Sequence, residues 1–406
     1  MTLRRLAGGV LRRLGWMRSG TRPPPRIRAS DRLRDVPTRV TVRDDRTLMV
    51  NGQPFFPNGL YYARDEIADT SGDSLRALHD MGFNCVFVDG DIESARDLDR
   101  IHRAGLYVWC RPPGRLSGQF DQLKAFVARF GPHPALLFWE MDDEPVLNHV
   151  SLEESKKGCE LVRAIDPFHP ILCNQWFSTL AEEQDMREWG RLADVYGFSC
   201  YPVPTTRWGS RMQLVESGWP HSIAVVGRQT ESWHSYAPGK PILPVLQAWA
   251  WNCIEDGDAA YPSLHEARFM VYHAVIAGAN GLHHYGAVNP MRPNLACGIP
   301  PVLHEDLDRT HADFERARWH NRIFWTYYSA VVGEIARMSA VFTARDSDWR
   351  PEGLPPSIEC RVKRHEGANV LLVVNASAAP VALQLPAIAD EVIEPLGVRV
   401  YSGGPE

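Results

Sequence analysis

The densest group of acidic side chains in the chain is the run Phe138-Trp139-Glu140-Met141-Asp142-Asp143-Glu144-Pro145, which begins as an apolar strand and ends as a carboxylate cluster. Crowded carboxylates repel one another. Where the surrounding rim excludes water, at least one of them keeps its proton near neutral pH, and a general acid needs that proton. Glu144, Asp143 and Asp142 are therefore the candidate catalytic residues, and an acidic loop open to water is the alternative reading of the same run. Other residues that follow apolar runs could bind a hydroxyl-rich ligand: Asp89 and Asp91, Tyr201, Gln247 and Trp249, and His283, His284 and Tyr285. Two adjacent histidines suggest a metal, but neighbours on a strand point to opposite faces and would not chelate together, so neither metal nor cofactor is expected. Trp139, Trp176, Trp249 and Trp251 could include a stacking platform, although most buried tryptophans simply pack. Glu231 reads as part of a solvated helix face. Glu266, three residues after Ser263, reads as the acid of a capping box.

These residues need elements to hold them. Short apolar runs occur at Phe56 to Tyr61, Asn84 to Asp89, Leu106 to Arg111, Ala135 to Met141, Ile171 to Asn174, Val195 to Cys200, Ile242 to Trp249 and Gly281 to Tyr285, with helix-length segments between them. Eight strands alternating with helices predict an α/β fold, the eight-fold β/α (TIM) barrel, whose active site lies at the carboxyl ends of the strands. Asn51-Gly52 between apolar runs predicts a β-hairpin ahead of the barrel. A helix from Thr310 to about Phe342 should close the ring. Beyond Gly353 the pattern changes to alternating strands at Ser357 to Lys363, Asn369 to Asn375, Val381 to Leu385 and Val398 to Tyr401, predicting a small antiparallel β domain. The expected division is a leader over 1–38, a barrel over 39–350 and a β domain over 351–406.

Composition sets the limits. A chain of 406 residues, 44% hydrophobic, has material for one large core and an appendage. Its net charge of -5 offers no general basic surface for a phosphate backbone, so nucleic acid is not an expected partner. The eight cysteines are scattered without C-x-x-C pairs, which predicts unpaired buried thiols and a cytoplasmic location. The basic first thirty residues lack the apolar core of a secretory signal. Leu3, Leu6, Val10, Leu11, Leu14 and Met17 would share one helical face with Arg5, Arg12 and Arg13 pointing away, so the leader reads either as a membrane-surface helix or as a disordered basic arm.

A family resemblance adds roles to these positions. Asn51-Gly52-Gln53-Pro54-Phe55-Phe56-Pro57-Asn58-Gly59 resembles the opening of many clan A glycoside hydrolases, and Trp139-Glu140-Met141-Asp142-Asp143-Glu144-Pro145 is similar to their strand-four signature W/Y-E-x-x-N-E-P. Tyr201-Pro202 and Ala277-Gly278-Ala279-Asn280-Gly281 also resemble segments of that clan, so the likeness spans roughly residues 45 to 300. The resemblance implies a glycosidase acting on an oligosaccharide or glycoconjugate, with Glu144 as acid/base. Two departures accompany it. Asp143 replaces the clan's asparagine, and Gln247 stands where the clan places its nucleophilic glutamate. An amide cannot form the glycosyl ester of a retaining enzyme whose two carboxylates lie about 5 Å apart. Three readings follow. In an inverting enzyme a carboxylate about 6.5 to 9.5 Å from Glu144, such as Asp89, Asp142 or Asp256, would activate water. In a substrate-assisted hexosaminidase the sugar's acetamide would attack while Asp143 steadies it. In a glycan-binding barrel there would be no cleavage.

Overall fold

The computed structural model describes residues 37–61, 63–90, 92, 94–115, 118–175, 183–203, 223–250, 261–286, 311–385 and 389–403. The expected leader lies outside them except for its last two positions, as do Asp91, Trp176, Trp251, Asp256, Cys253 and Cys297. Strands β1 (Val40–Val42), β2 (Leu48–Val50) and β3 (Gln53–Phe55) form an antiparallel sheet. Val50 pairs with Gln53 across the two-residue turn, and both turn residues, Asn51 and Gly52, have positive φ, the geometry that makes Asn-Gly a hairpin signal.

Eight parallel strands then close on themselves: β4 (Asn58–Leu60), β5 (Cys85–Asp89), β6 (Tyr107–Arg111), β7 (Leu136–Asp143), β8 (Ile171–Gln175), β9 (Val195–Cys200), β10 (Ile242–Gln247) and β11 (Leu282–Tyr285), with β11 pairing back to β4. Each coincides with one of the eight apolar runs. Parallel strands covered on both faces are buried throughout, which is why they read as near-continuous apolar segments. The helix His311–Phe342 completes the outer layer, and its Val332 carbonyl accepts a hydrogen bond from Asn58 Nδ2 at 3.3 Å. The helix Leu264–Ile276 starts with the expected capping box of Ser263 and Glu266, and Glu231 is exposed beside Arg228 on the helix Val225–Tyr236.

The barrel interior is aromatic beneath the carboxyl ends of its strands. Trp109 stacks on His283 at 4.2 Å with ring planes 8° apart, and Tyr61 meets Trp109 edge-on at 5.1 Å. Gly59 makes room for this layer, because a Cβ there would stand 2.6 Å from the Trp109 ring. Trp139 points the other way. Its indole N–H donates to Asp166 at 2.7 Å under the helices, so it is a packing residue and not a ligand platform.

After the barrel, β12 (Ile358–His365), β13 (Ala368–Asn375) and β16 (Val398–Ser402) form an antiparallel sheet, and β14 (Val381–Leu385) pairs with β15 (Ala389–Ile393). A separate small core of Ile358, Val362, Leu371, Val373, Leu383, Leu385 and Ile393 holds the two sheets together. Arg268 ties this unit to the barrel helices by gripping Glu334 and donating to the Val398 carbonyl. The six described cysteines are unpaired, and five of them are buried. Among the described residues, no helix is long and apolar enough to cross a membrane.

Candidate active site

The carboxylate cluster is built by the fourth barrel strand, β7, against its neighbours β6 and β8. Glu140 points into the barrel and is completely buried. Its carboxylate accepts hydrogen bonds from Tyr61 Oη at 3.0 Å and Trp109 Nε1 at 2.9 Å, and a charged one from Arg111 Nη2. Arg111, the last residue of β6, serves three acids at once: Glu140, Asp143 at 3.1 Å and Asp89 at 3.5 Å. Burial works against its charge, but the pull of Glu140, Asp143 and Asp89 outweighs burial and holds its pKa above the ordinary arginine value.

One cation cannot neutralise all the acids around it. Burial, reinforced by the charge of Asp143 and opposed by Arg111, pushes Glu140 up to about 7. Glu144 is also raised to about 7, first by burial and then by the charge of Asp143, against the Ser199 hydroxyl, which hydrogen-bonds it and favours its ionised form. The two acids share electrostatic partners, so their protons belong in part to the cluster as a whole.

Local backbone geometry decides which side chains reach the rim. The pairing of β7 with β8 slips between Glu140 and Asp142, so Glu140 opposes Leu172 while Asp142 opposes Cys173. The bulge at Met141 turns Asp142 away from the cluster toward Ser155 on the helix Leu152–Ile165, and burial raises its pKa. Asp142 was expected with the catalytic pair, and the extra residue in the strand is why it is not there. Past the bulge, Asp143 faces inward again: Asn174 Nδ2 donates to its Oδ1 at 2.9 Å and Arg111 reaches its Oδ2. Glu144 lies just beyond the strand at φ 48°, a left-handed conformation uncommon for a glutamate, fixed by its amide donating to the Asn174 carbonyl at 2.7 Å. Asn174 Nδ2 also reaches Ser199 Oγ at 3.2 Å, linking the aspartate to the hydroxyl beside Glu144.

An aromatic wall flanks this cluster. Tyr201 stacks on Tyr285 with centroids 5.5 Å apart, and Trp249 meets Tyr201 edge-on at 5.5 Å and Tyr285 at 5.9 Å. Burial, then the charge of Glu144, keeps the Tyr201 phenol protonated well above its ordinary range. Asp89, at the end of β5, stands at the rim with its side chain 32% exposed. Glu144, Asp143, Asp89, Tyr201, Trp249 and Tyr285 are thus all at the carboxyl ends of the barrel strands.

Two expected ligand positions fall elsewhere. His284 faces the helix layer, where its Nδ1 contacts Tyr328 Oη at 2.7 Å and its Nε2 contacts Asn58 Oδ1 at 2.9 Å, so both ring nitrogens are engaged in the outer wall. Strand alternation requires this: His283 is the inward neighbour, and it lies against Trp109. Gln247 has the inward parity but spends its amide on backbone. Its Oε1 accepts from the Val203 amide at 2.8 Å, and its Nε2 donates to the carbonyls of Val203 at 2.7 Å and Trp249 at 3.0 Å. Residues not singled out from sequence complete the site: Glu140, Arg111, Tyr61, Asn174 and Ser199. The available signal was their polarity inside otherwise apolar strands.

No protein-family model matches the chain, and no curated protein matches it. Solved structures do. A glycoside hydrolase family 5 protein from Bacteroides vulgatus ATCC 8482 matches with a TM-score of 0.59 at 16% identity, over 90% of this chain and 93% of that one. A structure described as a glycoside hydrolase matches with a TM-score of 0.54 at 14% identity, over 90% and 94% of the two chains. At such identities the likeness concerns architecture: the chain shares the fold of these glycoside hydrolases, a closed eight-stranded parallel barrel with a small C-terminal β unit.

Proposed function

We propose that the chain hydrolyses an O-glycosidic bond, with Glu144 as the general acid. The observation that carries this reading is a half-buried carboxyl group raised to about 7 at the end of the fourth strand, held beside ionisable Asp143 and facing the aromatic wall. In this reading Glu144 gives its proton to the glycosidic oxygen as the bond from that oxygen to the anomeric carbon breaks. The leaving sugar departs as an alcohol, and water adds to the anomeric carbon. Asp143 has both oxygens committed, one to Asn174 and one to Arg111, which suits a group that steadies developing positive charge. Among the described residues, Asp89 makes one longer ion pair, to Arg111, and is the freer carboxylate to take a proton from water, as an inverting mechanism requires. The fixed Asp143 would equally support a substrate acetamide in assisted hydrolysis. Tyr285, half-buried at the mouth, supplies an aromatic face for a sugar ring, and the buried Tyr201 and Trp249 back it from the core.

Turnover of a panel of aryl glycosides and oligosaccharides, with product anomers followed by proton NMR, tests the proposal. Inversion supports water activation by a separate carboxylate. Retention confined to acetamido sugars supports substrate assistance. Binding of oligosaccharides without turnover of any of them would leave a glycan-binding barrel in place of an enzyme.

A further inference from the structure

Gln247 occupies the inward-facing end of the seventh barrel strand: in the β10–β11 pairing Val245 is level with His283 and Gln247 with Tyr285, so Gln247 shares the parity that points into the barrel. A side chain there is well placed to meet a bound sugar, yet this one is completely buried and turned onto main chain. Its three hydrogen bonds join two different strand ends. Val203 follows β9 and Trp249 follows β10, and the carboxamide receives from one amide and donates to both carbonyls. Both of its N–H donors are consumed. Two residues before Val203 stands Tyr201, and Trp249 itself carries the other half of the aromatic wall, so the amide sets the separation of the two rings that meet at 5.5 Å.

We infer that Gln247 is a positioning residue: it staples the strand-six and strand-seven ends that present Tyr201 and Trp249, and this staple fills the place where a nucleophilic carboxylate would stand. The inference rests on the glycosidase reading for the identity of the ligand that the wall meets, but the staple itself is independent of that reading. Its chemistry is specific to an amide. A glutamate there would aim a carboxylate at two carbonyl oxygens and would have no hydrogen to give either of them. Such a carboxyl group stays protonated well above the ordinary carboxylate range. Its ionisation would then oppose folding, so the stability of Gln247→Glu should fall with rising pH relative to the native chain.

The test uses the full chain, Gln247→Glu, and Gln247→Met, which keeps the volume and loses all three hydrogen bonds. Amide hydrogen exchange at Val203 should be slow in the native chain and faster by about tenfold or more in both variants, as expected for the loss of one buried hydrogen bond. Urea unfolding from pH 5 to pH 8 should show Gln247→Glu losing stability relative to native as pH rises, whereas the deficit of Gln247→Met should be the same at every pH. Folding of Gln247→Glu at pH 5 but not at pH 8 would be the same result in a stronger form. An unprotected Val203 amide in the native chain, or a Gln247→Glu deficit independent of pH, overturns the staple. If the native chain and both variants turn over no glycoside, the glycosidase reading fails while the exchange and unfolding data still decide the staple.

Discussion

Replacing Glu140 by glutamine keeps the size of that side chain and an oxygen for Tyr61 and Trp109, but it removes the charge and sets an amide nitrogen, which cannot accept, against Arg111; the consequence should depend on pH in an unusual direction. Glu140 is completely buried, and its pKa is raised from the ordinary 4.5 to about 7, by burial first and by Asp143, in spite of Arg111. The folded state therefore binds a proton at Glu140 more tightly than the unfolded chain does. That contribution is fully present below about pH 4.5 and is lost as pH rises through 7. At 1.36 kcal/mol for each tenfold change in proton affinity, the interval from 4.5 to about 7 amounts to about 3 kcal/mol. In Glu140→Gln the side chain is neutral at every pH. The lost Arg111 hydrogen bond gives the variant a deficit that does not depend on pH, and measured from its value near pH 5 the variant should gain up to about 3 kcal/mol relative to the native chain by pH 8 to 9. Urea unfolding of both proteins at intervals from pH 5 to pH 9 measures the difference directly, and titrations common to both largely cancel. A difference that stays constant across that range, or one that moves against the variant as pH rises, would refute the reasoning by showing that Glu140 is ionised throughout beside Arg111.

Other outcomes follow from the same geometry. Arg111→Met leaves Glu140, Asp143 and Asp89 without their shared cation and should cost about 3–5 kcal/mol in denaturant unfolding near neutral pH, with the loss shrinking as Glu140 is protonated at lower pH. Gly59→Ala places a Cβ 2.6 Å from the Trp109 ring and 2.9 Å from Cys85 Sγ, both buried, and should lower stability by about 1–3 kcal/mol or more in thermal unfolding. Trp139→Phe removes the indole hydrogen bond to the buried Asp166 and should cost about 1–3 kcal/mol in the same assay.

The barrel was legible because each of its strands is covered on both faces, so the eight apolar runs stood out and their number matched the closed ring. The C-terminal strand β15 escaped notice because Ala389-Asp390-Glu391-Val392-Ile393 opens with three residues of low strand propensity, and it forms only as the partner of β14. Glu144 and Asp143 could be read as rim residues from their place after an apolar strand. Asp142 could not be separated from them, because the bulge at Met141 that turns it outward leaves no mark in the residue pattern. His284 is the opposite case: strand alternation alone places one histidine inside and one outside, and only the register with β4 and the contact to Tyr328 decide which. Arg111 and Glu140 were hidden in plain view as charged residues within buried strands, where a charge persists only with a partner. The partnership of Gln247 with Val203 spans 44 positions and is a property of two strand ends meeting, which local sequence does not encode.

The central claim is that Glu144 delivers the proton that releases the leaving sugar, and the most direct test is the leaving-group dependence of Glu144→Gln. With a glycoside whose leaving group is a poor one, the variant should lose roughly 10² to 10⁴ in rate while its folded structure is retained. With an activated aryl leaving group, which departs with little help from a proton, the loss should shrink markedly. Native rates on every substrate in Glu144→Gln would contradict the claim outright, and an equal loss on good and poor leaving groups would show that Glu144 serves some step other than protonation.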